Sequence, residues 1–255
     1  MNSEPSVFST FTKSLTIVIS GRSPHASSVN SKLPSAFKSV DGGDTQIQFC
    51  LAVKDPNGNV LQEPGIERLN LTQKGWDDPS QITTYDQLTN LFDGQVKPST
   101  IWDPTKYLNI WTGDFTNKSY YLGYAKFPVG TGLSGLDSEL ATAKNDGVVM
   151  GSNVFGCKTY YPNGYYFTEP YIYGVTTAHE VGHWLGLRHI SGDQACGNDY
   201  CTDTPPQKGG NNKGPNGLNW GCPTSPFQVN GCGSGQSPNG EMFQNYMDYS
   251  DDQCR

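Results

Sequence analysis

Residues 176–189 read TTAHEVGHWLGLRH and contain the spacing H-E-x-x-H-x-x-G-x-x-H. Residues four apart lie on one face of a helix, so His179 and His183 are predicted to point the same way from adjacent turns. Gly186 can adopt a positive φ at no steric cost, which would end the helix and bring His189 back as a third ligand. The pattern therefore predicts one metal site formed by three histidines.

The alternative is a helix whose histidines only pack against the core. Three of the four histidines of the chain fall within this short stretch, together with a glutamate and a glycine at fixed positions. A chance match of all five positions is far rarer than a chance match to most short motifs. We therefore favour metal ligation.

Three neutral imidazoles suit Zn²⁺ and leave a fourth position open for water. The ion would lower the pKa of that water from about 15.7 towards about 7, which provides a nucleophile at neutral pH. Glu180 is not needed as a ligand, and it stands next to His179, where it can take the proton and pass it to a leaving amine. The motif predicts a hydrolase with Glu180 as general base and a peptide bond as the favoured substrate.

Composition and charge narrow the class of protein. The 255 residues suit one large domain or two subdomains around a cleft. The net charge of −7 argues against nucleic acid as a partner, and no apolar run is long enough for a membrane span. Seven cysteines and few charged residues are typical of a secreted protein. No signal peptide is visible, so we expect the export signal and any pro-segment to lie outside this sequence.

The pattern of apolar and turn residues predicts alternating strands and helices. Strands are predicted at Ser14–Ile19, Gln46–Val53, Tyr107–Trp111 and Gly147–Met150, and helices at Tyr85–Phe92 and Val175–Leu187. Thr176 or Thr177 would be the N-cap of the second helix. We expect the last strand to be an exposed sheet edge whose residues Gly147, Val148, Val149 and Met150 capture an extended peptide by strand addition.

Several segments resemble the pappalysin family of metzincin zinc endopeptidases, in particular its small secreted members of the ulilysin type. The similar segments are TQIQFCLAVKDPNG, YLNIWTGDF, DGVVMGSNVFG, AHEVGHWLGLRH, GDQACGNDYCTDTPPQ, GCP and NYMDYSDDQC. The resemblance implies an α/β (α+β) catalytic domain with a twisted mixed sheet, a backing helix and an active-site helix. It also implies that one domain, 1–255, divides into an upper subdomain, 1–189, and an irregular, disulfide-tied lower subdomain, 190–255.

The resemblance also implies roles for three residues after the zinc motif. Met247 matches the methionine that forms a hydrophobic base below the zinc. Tyr249 matches a tyrosine whose hydroxyl can donate a hydrogen bond to the oxyanion of the tetrahedral intermediate. Asp252 matches an acidic residue in the pocket for the residue after the scissile bond, which implies cleavage on the amino side of Arg or Lys.

The cysteines after the zinc motif predict disulfides rather than a second zinc site, because no C-x-x-C pair is present. The resemblance implies the pairs Cys196–Cys232 and Cys222–Cys254. Each would stabilise a loop-rich region by about 3–4 kcal/mol. The remaining cysteines are Cys50, Cys157 and Cys201.

The segment from Asp199 to Pro205 offers carboxylate, hydroxyl and carbonyl oxygens of the kind that Ca²⁺ prefers. The alternative is a plain turn, because Asp-Thr-Pro is common turn chemistry. The resemblance to calcium-stabilised relatives favours calcium, with Asp199, Thr202 and Thr204 as the predicted ligands.

Two other functions stay open at this point. One is a zinc amidohydrolase that does not act on peptides, and the other is an extracellular binding module with little or no activity. The intact Glu180 argues against the binding module, because an inactive descendant is free to lose its base.

Overall fold

The computed structural model of the chain describes residues 10–13, 17–19, 47, 49–136, 139–166, 171–209, 222, 232 and 239–254. Within these residues the strands are β1 (Thr10–Lys13), β2 (Ile17–Ile19), β3 (Phe49–Leu51), β4 (Glu67–Asn70), β5 (Tyr107–Leu108), β6 (Ile110–Gly113), β7 (Gly123–Ala125) and β8 (Val148–Gly151). They form a five-stranded sheet in the order β4-β1-β6-β8-β7 and a three-stranded sheet in the order β3-β2-β5. In the larger sheet β6 and β8 run parallel and the other pairs are antiparallel, so this sheet is mixed.

The helices are α1 (Leu71–Lys74), α2 (Tyr85–Leu91), α3 (Lys97–Thr100), α4 (Thr116–Ser119) and α5 (Val175–Trp184). A π-helical segment, Phe92–Val96, joins α2 to α3. Short 3₁₀ helices lie at Pro79–Gln81 and Asp252–Cys254. In the part of the chain described here, no helix is long and apolar enough to cross a membrane.

Helices pack on both faces of the larger sheet, because neighbouring side chains of a strand point to opposite faces. Trp111 and Val149 belong to a buried cluster with residues of α1, α2 and the π-helical segment. Ile110, Val148 and Met150 belong to a second cluster, against which Val181 and Trp184 of α5 pack. The helix that carries the histidine motif therefore lies directly on the sheet.

The helix predictions are confirmed in position but differ at their ends. The helix predicted from Tyr85 begins there, with Thr84 as a capping-box residue. α5 begins at Val175 and is capped by Gly174, whose φ is 81°, so the prediction of a threonine N-cap was wrong. The Thr177 hydroxyl instead donates to the Phe155 carbonyl at 3.1 Å and ties the helix to the loop after β8.

The strand predictions are confirmed only in part. Of the segment predicted at Gln46–Val53, residues 46 and 48 lie outside the described residues, and Phe49–Leu51 form β3. The segment predicted at Tyr107–Trp111 is divided at Asn109 between the two sheets, because the buried Asn109 side chain bonds both backbone groups of Trp102 at 2.9 Å. Of the prediction at Ser14–Ile19, residues 14–16 lie outside the described residues and 17–19 form β2. β1 was not predicted.

The prediction that Gly147–Met150 is an exposed sheet edge was wrong. β8 lies between β6 and β7, and the side chains of Val148, Val149 and Met150 are all 0% exposed. Side chains that are apolar on both faces of a strand are characteristic of the interior of a sheet. These four residues therefore form the core beneath the site rather than its rim.

Both disulfides implied by the resemblance are present, Cys196–Cys232 and Cys222–Cys254. They connect residues 36 and 32 positions apart. Cys157 and Cys201 are free thiols. The second bridge attaches Cys254 at the end of the short helix that begins with Asp252.

A fully buried lysine, Lys97, joins the helices to the sheet. Its ammonium group lies 2.7 Å from the Asp93 carboxylate, donates to the Asn145 carbonyl at 3.2 Å, and stands 4.6 Å from the centre of the Tyr124 ring. Burial lowers the pKa of Lys97 to about 8, although the charge of Asp93 opposes this change. The folded protein therefore holds this proton less tightly than the unfolded chain does.

We expect the free energy of unfolding to rise with pH between about 8 and 10.5, because in this window the unfolded chain keeps the Lys97 proton that the folded protein has released. The whole rise attributable to Lys97 is about 3 kcal/mol, and below this window the cost of the buried charge is fully present. Urea unfolding of the parent and of Lys97→Met at pH 7, 8 and 9.5 measures it. In the variant, Asp93 keeps Lys126 at 3.3 Å. If the free energy of unfolding changed with pH in the same way in both proteins, the pH dependence would not come from Lys97.

Candidate active site

The histidine motif adopts the predicted turn. His179 and His183 are buried on consecutive turns of α5, and Gly186 follows the helix with a φ of 96°. The Leu187 amide closes the turn by donating to the Gly182 carbonyl at 2.9 Å. As a result His189 folds back towards the helix, and the three Nε2 atoms lie 3.1 Å from one another.

The second ring nitrogen of each histidine contacts an acceptor. His179 Nδ1 lies 2.7 Å from the Tyr246 carbonyl oxygen, and His183 Nδ1 lies 2.7 Å from the Leu187 carbonyl oxygen. His189 Nδ1 contacts the Asp193 carboxylate. Because these oxygens can only accept, each Nδ1 carries the hydrogen and each Nε2 has a bare lone pair. Three lone pairs that converge at this separation require a cation.

The donors fit zinc. Ligand bonds of about 2.0–2.1 Å in a tetrahedral arrangement separate neighbouring nitrogens by about 3.3–3.4 Å, close to the 3.1 Å observed. Burial lowers the pKa of His183 to about 4 and so keeps this ring neutral, as a ligand must be. Among the described residues, these histidines are the one group of three or more His, Cys, Asp or Glu side chains that could hold a metal ion.

Asp193 is a residue of the site that the sequence did not reveal. One carboxylate oxygen contacts His189 Nδ1, and the other accepts from Arg188 Nε at 3.0 Å and Nη2 at 2.8 Å. These contacts lower the pKa of Asp193, although partial burial opposes the change. Its position four residues after His189 was the available signal, but i,i+4 spacing has this meaning only inside a helix.

Glu180 is buried beside the histidines, with 7% of its surface exposed, and it lines the same pocket as His179. Burial raises the pKa of the Glu180 carboxyl to about 8. A cation on the histidines would favour the ionised carboxylate and bring this pKa down again. A carboxyl group whose pKa is raised by burial and lowered by a nearby cation can both accept and release a proton near neutral pH.

The pocket beside Glu180 brings together residues from distant parts of the chain. Its lining residues are Tyr120, Tyr121, Leu122, Gly123, Tyr171, Thr176, His179, Glu180, Tyr249, Ser250 and Asp252. The sequence predicted roles for Glu180, Tyr249 and Asp252 but did not predict the contribution of residues 120–123. Tyr120 is 76% exposed and has a φ of 59°, an uncommon conformation for a bulky side chain.

Tyr249 lies next to two of the three histidines. Its ring centre is 4.4 Å from that of His189 and 5.5 Å from that of His179. Partial burial and the charges of Glu180 and Asp193 raise the pKa of Tyr249 to about 12. The hydroxyl therefore stays protonated and can donate a hydrogen bond.

Asp252 lines this pocket and is buried, with 4% of its surface exposed. One of its carboxylate oxygens accepts a hydrogen bond from the Tyr173 amide at 3.0 Å. This bond and the Cys222–Cys254 disulfide hold the residue from two sides. The carboxyl group is therefore held in a fixed position in the pocket wall.

Met247 packs under the zinc-site helix. It is buried, and its sulfur occupies the space beside Gly182 that a Cβ at this position would need. The Met247 carbonyl accepts from the Ile190 amide at 3.2 Å, next to His189. The residue therefore supports both halves of the histidine motif.

The strand that borders the pocket is β7 rather than β8. In the described sheet, β7 pairs with β8 on one side and ends the sheet on the other. A Cβ at Gly123 would lie 2.8 Å from the Val149 carbonyl oxygen and 3.1 Å from Glu180 Cγ. Only glycine lets the strand approach the carboxylate this closely.

The oxygens predicted to bind calcium gather in one loop. Asp199 Oδ1 accepts from the Cys201 amide at 3.0 Å, and Asp199 Oδ2 lies 2.5 Å from the Thr204 hydroxyl. The same hydroxyl is 3.0 Å from the Cys201 carbonyl oxygen. Thr202, the third predicted ligand, is exposed.

No model of a known protein family matches the chain. Its sequence is similar to fungal proteins named extracellular metalloproteases. It is 36% identical over 151 residues to that of Colletotrichum graminicola, and the alignment covers 58% of this chain and 43% of that protein. It is 42% identical over 86 residues to extracellular metalloprotease 1 of Coccidioides posadasii, which covers 33% of this chain and 26% of that protein. The chain thus spans less than half the length of these curated relatives.

The fold is similar to that of solved mirolysin structures. Mirolysin in complex with compound 9 aligns with a TM-score of 0.63 and 33% identity over 89% of this chain and 71% of that chain. Mature Tannerella forsythia mirolysin in complex with a cleaved peptide aligns with a TM-score of 0.62 and 34% identity over the same shares. The predicted fold class, a mixed sheet with helices and a disulfide-tied C-terminal region, is confirmed. With this similarity over most of both chains and with the three-histidine zinc site in place, the chain belongs to the pappalysin family of metzincin metalloproteases.

Proposed function

We propose that this protein is an extracellular zinc endopeptidase that cleaves peptide bonds on the amino side of Arg or Lys. The proposal rests on one arrangement: three Nε2 lone pairs converge beside a buried glutamate, in a pocket next to a sheet edge. The names of the fungal relatives support an extracellular metalloprotease, and the mirolysin complex with a cleaved peptide supports a peptide substrate. Within the family, we assign the chain to the ulilysin type.

Zinc held by His179, His183 and His189 would supply Lewis-acid chemistry and a water molecule that ionises near neutral pH. Glu180 takes up the proton of that water and delivers it to the leaving amine. Its burial makes the protonated state accessible during this transfer. Tyr249, beside His179 and His189, donates its hydroxyl hydrogen to the carbonyl oxygen as negative charge develops there.

The substrate backbone binds along β7. Strand addition to a sheet edge satisfies the backbone groups of an extended peptide and leaves its side chains to the pockets. Gly123 lies on this edge at the nearest approach to Glu180, so a peptide aligned with the strand passes the carboxylate. This assignment replaces the one made from sequence, which used β8. It favours unfolded segments and loops over helices as substrates.

Replacing Gly123 with alanine is expected to lower kcat/KM by about 10²-fold, because the Val149 carbonyl oxygen is rigid and the new Cβ would displace β7. The matched control is Gly94→Ala in the π-helical segment, where no atom lies within 4 Å of the new Cβ. Kinetics with an extended peptide measure both variants. Equal rates for Gly123→Ala and the control would show that β7 does not guide the substrate.

Asp252 determines the preference for a cation after the scissile bond. A guanidinium can bind a fixed carboxylate through two parallel hydrogen bonds, which an ammonium cannot do. The buried position of Asp252 in the pocket wall strengthens this interaction, since solvent screens a buried charge less. Arginine should therefore be preferred to lysine.

One experiment tests the function as a whole. The zinc-loaded protein is incubated with a proteome-derived peptide library, and the new termini are sequenced. New N-termini that begin with Arg and, less often, with Lys are expected. Cleavage before Leu or Phe, with Arg and Lys at background frequency, would overturn the specificity. The absence of any new termini would overturn the peptidase function and leave an amidohydrolase or a binding module.

The loop from Asp199 to Thr204 is proposed to bind a structural calcium ion. A carboxylate, a hydroxyl and a carbonyl oxygen that already touch one another are hard ligands of the kind this ion prefers. Calcium at 100 times its dissociation constant should stabilise the fold by about 2.7 kcal/mol. Thermal unfolding of Asp199→Asn should lose this gain, whereas the neighbouring Asp203→Asn should keep it. An equal response of both variants to calcium would contradict the site.

A further inference from the structure

The three zinc ligands differ in what holds their outer ring nitrogen. His179 and His183 lie on α5, and each contacts a backbone carbonyl oxygen at 2.7 Å through Nδ1. His189 lies beyond the end of the helix, and its Nδ1 contacts the carboxylate of Asp193. His189, which lies outside regular structure, therefore has a carboxylate as its partner.

A tight turn places Asp193 against His189. Gly192 and Asp193 both have left-handed backbone conformations, with φ values of 66° and 61°. A Cβ at Gly192 would lie 2.6 Å from the Gly197 carbonyl carbon, so the turn has no room for another residue type. The Gly192 amide donates to the His189 carbonyl at 2.8 Å, which closes the turn on the ligand itself.

Arg188 holds the other end of the carboxylate. Its Nε and Nη2 atoms lie 3.0 Å and 2.8 Å from Asp193 Oδ2, while Nη1 donates to the Gly135 carbonyl at 2.9 Å. The Tyr200 ring centre lies 5.9 Å from the guanidinium carbon. The guanidinium is therefore fixed by Gly135, which precedes α5 in the chain, and by the Tyr200 ring, which follows α5. One carboxylate oxygen of Asp193 thus contacts Arg188, and the other contacts His189.

We propose that Asp193 and Arg188 are positioning residues that orient His189 and set the affinity of the site for zinc. A carboxylate on the outer nitrogen fixes the tautomer that leaves Nε2 free and makes the imidazole a stronger donor. Arg188 prevents the carboxylate from turning away from the ring. The inference rests on the zinc centre of the proposed function but does not depend on peptide cleavage.

The test measures zinc binding itself, by competition with a chromophoric chelator, in the parent and in Asp193→Asn. The amide can still accept from His189 Nδ1, so the variant removes the charge and retains the shape. Loss of such a partner typically weakens metal binding by about 10- to 100-fold, and we expect a loss in this range. The matched control is Glu63→Gln, which alters an exposed bidentate pair with Arg68 at 2.8 and 2.7 Å. Its zinc affinity should equal that of the parent.

A second variant and a second signal separate positioning from folding. Arg188→Met leaves the contact between Asp193 and His189 in place, and it should weaken zinc binding by a smaller factor than Asp193→Asn. The absorption spectrum of bound Co²⁺ should change in Asp193→Asn and stay unchanged in Glu63→Gln. Zinc affinity within twofold of the parent in both Asp193→Asn and Arg188→Met would overturn the proposal. If the parent itself did not bind zinc, both the proposed zinc centre and this inference would be refuted.

Discussion

Replacing Glu180 with alanine is expected to abolish turnover while zinc stays bound. All three ligands are histidines, and their Nε2 atoms converge without help from the carboxylate. Loss of a general base costs about 10²–10⁴-fold in rate, so kcat should fall by at least that factor. Peptide kinetics measure the loss, and metal analysis of the dialysed protein measures bound zinc.

Glu180→Gln is the control that separates proton transfer from packing. Glu180 is buried next to Gly123, so the alanine variant also opens a small cavity, whereas glutamine fills the same space. Both variants should therefore be equally inactive. Near-normal activity in either variant would refute the role of Glu180 as base. Loss of zinc from the glutamine variant would instead identify the carboxylate as a ligand.

Replacing Asp252 with asparagine is expected to remove the preference for Arg and Lys. The amide oxygen can keep the hydrogen bond from the Tyr173 amide, so the pocket wall should hold its shape while its charge is lost. Removing one partner of a buried charge pair costs about 2–5 kcal/mol, which corresponds to a loss of roughly 30-fold or more in kcat/KM. The loss should appear only with substrates that carry Arg or Lys after the scissile bond.

The matched substrate for this test has norleucine in place of lysine, since it retains the hydrocarbon chain of lysine and lacks the ammonium group. The parent should cleave it slowly, and the Asp252→Asn variant should cleave it at least as well as the parent does. A variant that lost activity equally on both substrates would have a damaged pocket wall. A variant that kept the parent's preference would show that another group selects the cation.

The parts of the site that could be predicted from the sequence are those that depend on local spacing. Helical periodicity places His179 and His183 together, and the conformational freedom of Gly186 returns His189. These relations involve residues at most ten positions apart, and the structure reproduces them. The disulfide pairs came from family resemblance, and no spacing rule would have selected them.

The predictions that failed concern relations between distant segments. Gly147–Met150 is a strand, but which strands flank it is decided by residues far away in the sequence, Ile110–Gly113 on one side and Gly123–Ala125 on the other. An apolar strand next to a motif looks the same in sequence whether it lies inside a sheet or at its edge. The predicted substrate edge was for this reason assigned to a strand that lies inside the sheet.

The sequence by itself predicted the zinc site, its three histidines and the glutamate beside them, because a helix and one glycine turn are enough to assemble them. Only the tertiary structure decided which strand ends the described sheet beside the pocket, that Asp193 contacts both His189 and Arg188, and that Asp252 is buried in the wall of the same pocket as Glu180. Sheet order, carboxylate partners beyond a helix and burial all arise from contacts between segments far apart in the chain. Such contacts leave no periodic pattern in the order of the residues.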